Sequence, residues 1–479
     1  MADFGFVGPA YTAPSIYQDA QELINWYLEV DPNIAQGERG KYTMYPTPGL
    51  TLKCTPTVNT EVRAMRAYPD GTKFLAICGN TLYSITSAFV ATSVGTLGTA
   101  TGPLNITDNG LSAYFCDGLS RYTFNYSTSA FAVVSAADGA FTGGGRADVV
   151  DNFIIYPRLN SQQWAATSAL STTTPALSFA SADANPDQLV APVVNNRQVF
   201  LLKQYNSEVW IDVGAFPFPF QRIPGSNTQH GCIAPNSIAL LGDSFAFVSQ
   251  DRRGQGLILM ANGYTFTQIS THAVVNDLVG QVISDAVAYS YQIEGHEFYV
   301  VSFPTADKTW VYDLSTQLWH KWLSVDSFNI YHRHRSNCAV LFQNMILVGD
   351  YANGKIYALD NSVYTEDGSV IRRLRRCVHL VKDYKQQFFD RLQIRFQPGV
   401  GLSVGQGSDP QAMLRWSNDG GSTYSSEHWK SIGRIGKYKD RVIWRRLGTA
   451  RDRIFEVSIT DPVKAVIISA DLEGDVGDN

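Results

Sequence analysis

"VVNNRQVFLLKQYNSEVWID", Val193 to Asp212, holds a short apolar run, a polar turn, an alternating run, a second polar turn and a run ending in an aromatic residue. Asn195-Asn196 tolerates positive φ, so the flanking runs fold back as a tight antiparallel hairpin. The same pattern returns in "VVDNFIIYPRLNSQQWAAT" (Val149 to Thr167) and "VLFQNMILVGDYANGKIYALD" (Val340 to Asp360). Weaker copies begin at Phe74, Asn109, Ala239 and His296, which makes seven in all. With the second run as anchor, Phe74, Tyr114, Phe153, Val199, Phe245, Phe298 and Ile346 are spaced by 40, 39, 46, 46, 53 and 48 residues. Each copy is a small meander that cannot bury both faces alone. Stacking such units radially buries them against neighbours, so the spacing predicts a β-propeller of about seven blades. Gly79-Asn80, Asp151-Asn152, Gly242-Asp243 and Asn353-Gly354 are read as further hairpin turns.

Composition agrees. The 24 Tyr, 25 Phe and 39 Gly suit half-buried strands and tight turns, and 479 residues exceed one domain of ordinary size. The best short helical candidate is "YQDAQELINWYLEV", Tyr17 to Val30. After Asp360 the blade period stops. Runs such as "SVIRRLRRCVHL", "DRLQIRFQPG" and "RIFEVSITDP" alternate without it, as strands of a β-sandwich would. The division expected is an N-terminal arm over 1–55 packing on the C-terminal domain, a propeller over 56–362, and a β-sandwich-like, ring-forming domain over 363–479. "TTTPALSFASADANPD" followed by "QLVAPVV" reads as a long inserted loop.

No basic head with an apolar run opens the chain, and no stretch approaches 18 apolar residues, so neither export by a signal peptide nor membrane insertion is expected. The six cysteines lie far apart and read as small core residues in a reducing cytoplasm. From Val363 onward there are 19 Lys and Arg against 15 Asp and Glu; before it the balance is 19 against 28. So acidic a body argues against a DNA-binding protein of the usual basic type.

Further stretches carry a resemblance: "INWYLEVDP" with "KYTMYPTPGL", then "EVWIDVGAFPFPFQRIPG", "GCIAPNSIALLGDSFAFVSQDRRGQG", "VGDYANGKIYALD" and "LRWSNDGGSTYSSEHWKSIGRIGKYKDRVIWRRLG". In number and order they resemble the tail hub or nozzle proteins of short-tailed bacteriophages, also called packaged-DNA stabilisation proteins or tail accessory factors. The resemblance implies a structural, non-enzymatic virion protein, assembled in the host cytoplasm, that forms a six-fold ring below the portal adaptor. Tail spikes or fibres and a needle or plug would attach to it. Phage genomic DNA would lie in its channel without sequence-specific recognition. No cofactor or metal is implied.

"SNDGGSTY" resembles the Asp-box hairpin of sialidase propellers, but Ser417, Asp419, Gly421 and Thr423 do the work of a turn and Tyr424 packs beneath it. The rival it raises is a propeller glycosidase or depolymerase; another is a glycan-binding receptor module. "DRRGQG" (Asp251 to Gly256) lacks the phosphate-loop spacing and reads as a turn. His332 and His334 share one side of a strand without a recognisable third metal ligand, and "QIEGHEFY" (Gln292 to Tyr299) reads as a charged hairpin tip. Arg372, Arg373, Arg375 and Arg376 suit solvated or inter-subunit pairing, or a lumen contact with DNA phosphates. "KYKDRVIWRR" (Lys437 to Arg446) divides the same way, with subunit contact favoured. The subunit-interface candidates are Arg373, Arg375, Trp416, Trp429, Arg441, Trp444 and Arg445.

Overall fold

The computed structural model describes residues 4–35, 40–140 and 143–477. Seven antiparallel blades follow one another around an axis. Their innermost strands are Val62–Ala67, Ile106–Asp108, Asp148–Val150, Leu189–Asn195, Ala239–Leu241, Val287–Ile293 and Ser336–Phe342. All seven anchor residues, Phe74 to Ile346, fall on the second strand of successive blades, so the period in the sequence is the blade period.

Apolar side chains fill the space between each pair of blades. Leu75, Phe115 and Phe124 lie between the first and second, Trp164 and Leu201 between the third and fourth, and Phe200 and Phe247 between the fourth and fifth. The ring closes where Phe74 of the first blade meets Phe342 of the seventh, ring centres 5.0 Å apart. Each such fully buried side chain contributes about 1.5–3 kcal/mol.

The seventh blade has only three strands of its own, Ser336–Phe342, Met345–Asp350 and Ile356–Asp360. Its fourth is Gly49–Cys54, which runs antiparallel to Ile356–Asp360. This segment belongs to the stretch assigned above to the N-terminal arm; it locks the propeller shut. The rest of the arm does join the second domain. Glu22–Ile24 pairs with Arg373–Arg376 in one sheet, which continues through Asp452–Ile459 and Gln411–Ser417 to His428–Ser431. Trp26–Val30 and Tyr42–Pro46 join Ile467–Val476, Gln387–Phe396 and Val442–Arg445 in the other. Trp26, Leu392, Leu414, Phe455 and Ile467 pack between the two sheets. The fold is therefore a β-propeller plus a β-sandwich. The first sandwich sheet also runs on into the sixth blade: Ile24 pairs in parallel with Lys321, giving ten strands in one sheet.

Four sequence expectations need correction. Tyr17 to Val30 holds two strands broken at Asn25, whose φ of 58° turns the chain. The Asn25 side chain donates to the carbonyls of Leu323 and Arg372, each at 2.8 Å, and accepts from the Leu323 amide at 2.9 Å. Those bonds tie arm, blade and sandwich together and override a weak helical propensity. The supposed inserted loop contains Phe179–Ser181, the outer strand of the third blade, and Leu189–Asn195, the inner strand of the fourth. Finally, the two-residue turn of the seventh blade is Gln343-Asn344, φ 49° and 60°, and Asn353-Gly354 sits in a longer loop with only Gly354 at positive φ, 73°. In the fourth blade the turn residues are Asn196-Arg197, one step beyond the pair expected.

Candidate functional site

The Asp-box is a turn built from its own side chains. Ser417 Oγ donates to Asp419 Oδ1 at 2.7 Å and accepts from the Gly421 amide at 2.9 Å. Asp419 accepts from the Thr423 amide at 2.9 Å and from its hydroxyl at 2.6 Å. The Ser417 and Thr423 bonds hold the Asp419 carboxyl down at about 2, so it is a permanent acceptor and unfit to carry a proton near neutral pH. Gly420 lies under the Tyr17 ring with φ 68°, and Tyr424 is held beneath Arg376 and Arg415, whose guanidinium carbons are 5.2 and 4.6 Å from its ring centre.

A sialidase-like site would need a free arginine cluster near the propeller axis. The axial cavity, about 260 Å³, does carry Arg63, Arg66 and Arg146. Arg63 spends its guanidinium on the carbonyls of Gly79, Thr99, Thr101 and Gly102, and Arg66 is paired with Asp108 at 2.6 Å. Arg146 donates to the carbonyls of Pro235 and Ile238. Tyr289, the phenol lining the cavity, is bonded to Ser336 Oγ at 2.6 Å and burial raises its pKa. The three cations brace loops and leave no clamp for a substrate carboxylate.

The histidines are likewise spent inside the chain. His334 is buried and stacks on Trp322 with centres 3.8 Å apart, while His332 pairs with Asp307 at 2.7 Å. Among the described residues no group of three His, Cys, Asp or Glu side chains is placed to hold a metal. "QIEGHEFY" is the hairpin tip expected, turning at Glu294-Gly295, and its His296 is buried between Asp313 Oδ2 at 2.7 Å and Glu29 Oε2 at 2.6 Å. Asp251 caps its own loop by accepting from the amides of Arg253 and Gln255, both at 2.8 Å, so "DRRGQG" is a turn.

The interface candidates separate by burial. Arg373 and Arg375 have no exposed surface. Arg375 Nε donates to the Phe6 carbonyl at 2.7 Å and Nη2 to Gln21 Oε1 at 3.0 Å, and Arg373 lies against the Tyr364 ring. Burial pushes both guanidinium groups down to about 10. Trp444 is a core residue whose Nε1 donates to the His428 carbonyl at 2.8 Å, and Trp416 stacks on the His428 ring. These positions hold the sandwich together, which corrects the interface expectation for Arg373, Arg375 and Trp444: no surface is left to meet a partner. Trp429, Arg441 and Arg445 are exposed.

Those three belong to a larger feature that residue-by-residue reading divided. From Glu427 to Arg446 there are seven Lys and Arg against two acids, and all nine are exposed. His428–Ser431 ends one sandwich sheet and Val442–Arg445 lies at the rim of the other; the Trp444 to His428 bond holds the two rims side by side. Lys430, Lys437, Lys439, Arg441, Arg445 and Arg446 make no ion pair among the described residues; Arg434 alone is paired, with Asp409 at 3.2 Å.

Propeller and sandwich in this order are also what comparison with known families finds. The model described as "Bacteriophage P22 Gp10, beta-propeller" matches residues 28–364, and "Bacteriophage P22 Gp10, beta-sandwich" matches residues 373–475. The chain belongs to the bacteriophage P22 Gp10 family. Gp10-family proteins are the DNA-stabilising tail hub proteins of short-tailed phages, so this chain is a structural phage tail protein and a virion component. No curated protein matches. Among solved structures, the extracellular domain of the one-component system BT4673 from B. thetaiotaomicron is 12% identical, with a TM-score of 0.42 over 82% of this chain and 48% of that one. The Pan2 WD40 domain of Neurospora crassa is 7% identical, with a TM-score of 0.42 over 66% and 95%. Similarity so low adds nothing to the Gp10 assignment. No helix among the described residues is long and apolar enough to cross a membrane.

Proposed function

We propose that this chain builds a closed ring in the phage tail, six-fold as in the family it resembles, extending the portal-adaptor channel so that packaged DNA is retained and then conducted on ejection. In this reading the sandwich and N-terminal arm meet neighbouring copies around the channel, and the propellers turn outward toward spikes or fibres. A needle or plug closes the far end.

The observation that supports this division is what the free edges carry. The outer strands of the first five blades are also paired on one side only, and none of them presents an exposed tryptophan among the described residues. The sandwich ends in His428–Ser431, four exposed residues paired on one side only, with Trp429 57% exposed. An unpaired strand edge with a protruding tryptophan is the surface type that associates.

Native mass measurement of the full chain, alone and after addition to adaptor-capped portals, tests this reading. A closed ring on the portal is expected; one copy per tail, or an open-ended series of masses, would overturn it. Trp429→Ala should leave the melting temperature unchanged and weaken ring formation by about 2 kcal/mol per contact.

A further inference from the structure

Most arginines of this chain are consumed internally. Arg63, Arg121, Arg373, Arg375 and Arg453 are all at most 2% exposed. Against that background, six cations clustered between Lys430 and Arg446, none in an ion pair among the described residues, stand out on a chain whose formal net charge is −5. They follow the free side of the sandwich, at the end of the strand order away from the sixth blade. Three of the six are lysines. Lysine is depleted at the centres of protein–protein contacts, because its strongly hydrated ammonium resists burial, whereas contacts to phosphates keep it solvated.

We infer that the Lys430–Arg446 rim is a polyanion contact, and that its occupant is the sugar-phosphate backbone of duplex DNA. The inference rests on the tail-hub reading, which puts DNA beside the sandwich. Charge complementarity selects the ligand: a duplex offers a regular row of phosphates and asks for no shape match from flexible lysines. No base-reading element accompanies the rim, so binding is independent of sequence. The consequence is a conduit in which a narrow cationic rim carried by the sandwich, rather than a uniformly basic wall, holds the genome.

The experiment uses the full chain and a fluorescein-labelled 20-base-pair duplex of arbitrary sequence, followed by anisotropy at increasing salt. Binding in the range of roughly 1–100 µM is expected at physiological salt and tighter binding below it, unchanged when the sequence is scrambled. Six phosphate contacts give a slope of about −5 for log K against log salt. Combining Lys437→Gln, Lys439→Gln, Arg441→Gln and Arg445→Gln should flatten that slope to about −2, each contact removed taking about 0.9 unit. The control combines Arg158→Gln, Arg252→Gln, Arg253→Gln and Lys382→Gln, exposed cations elsewhere, and should leave the slope alone.

Equal slopes for the two quadruple variants would overturn the proposal. So would a rim variant that keeps DNA binding but no longer forms rings, because the rim would then meet an acidic face of another copy. Binding to phosphatidylglycerol vesicles with no binding to the duplex would overturn it in favour of a lipid headgroup. A chain that binds the duplex with the steep slope yet never joins a tail leaves this inference standing and removes the hub reading.

Discussion

At the scale of single residues, the informative side chains are buried ones with unusual partners. His296 sits between two carboxylates, and its bonds to Asp313 and then Glu29 lift its pKa from the ordinary 6.5 to about 9. A raised folded-state pKa means the imidazolium stabilises the fold fully below about 6.5, and this contribution is lost as pH rises through about 9. Thermal melting scanned from pH 6 to pH 10 should therefore fall at the alkaline end, and Glu29→Gln should shrink that fall. His320 is buried nearby and its pKa is pushed down to about 4, so its contribution has the opposite sense: it fades as the solution is acidified from 6.5 toward 4. Arg375→Ala strands the carbonyl of Phe6 and the Gln21 side chain, and should cost roughly 3 kcal/mol or more in chemical denaturation. Asp419→Ala removes the acceptor that ties Thr423 to Ser417; a drop of a few degrees in melting temperature is expected, with no associated loss of any hydrolytic activity on glycans. None of the buried roles was legible in the sequence. "IRRLRRC" shows four arginines but gives no sign that Arg373 and Arg375 point inward, because their acceptors are carbonyls of the N-terminal arm and of residue 461.

At the scale of elements, legibility followed distance along the chain. Hairpins are local, so turn residues and alternation located all seven second strands. The outer strand of the third blade was missed because "SFASADANPD" has too few apolar residues to announce itself; it pairs by Phe179, Ala180 and Ser181 alone. Gly354 was singled out for a two-residue hairpin it does not make, yet it remains irreplaceable for another reason. A β-carbon there would overlap the Thr57 carbonyl oxygen, and its φ is 73°. Gly354→Val should cost about 1–2 kcal/mol for the backbone conformation alone, with the overlap in addition, and appear as loss of soluble protein on expression. Recovery of a normally melting variant would show that the Thr57 loop yields.

At the scale of the whole molecule, closure joins the beginning of the chain to the end of the propeller. Deleting residues 1–55 leaves the seventh blade one strand short and takes Trp26 and Leu28 out of the sandwich core. The expected product is an aggregating chain rather than a free-standing propeller, and size-exclusion profiles against the full chain decide it. A sequence pattern cannot announce such a partnership, since nothing local in "GLTLKC" points to Ile356–Asp360. The single parallel step between Ile24 and Lys321 has a mechanical meaning. Propeller and sandwich are joined there by a three-residue strand, the Asn25 clasp and the Lys321–Glu22 ion pair at 3.0 Å. A pull on the outer blades would thus reach the sandwich as shear across that row of bonds, the Glu29–His296 bond and the packing of Tyr27 on Phe298. That seam is where tension concentrates. In single-molecule stretching it should part first, at a force below that needed to open the blades, and so act as the molecule's fuse.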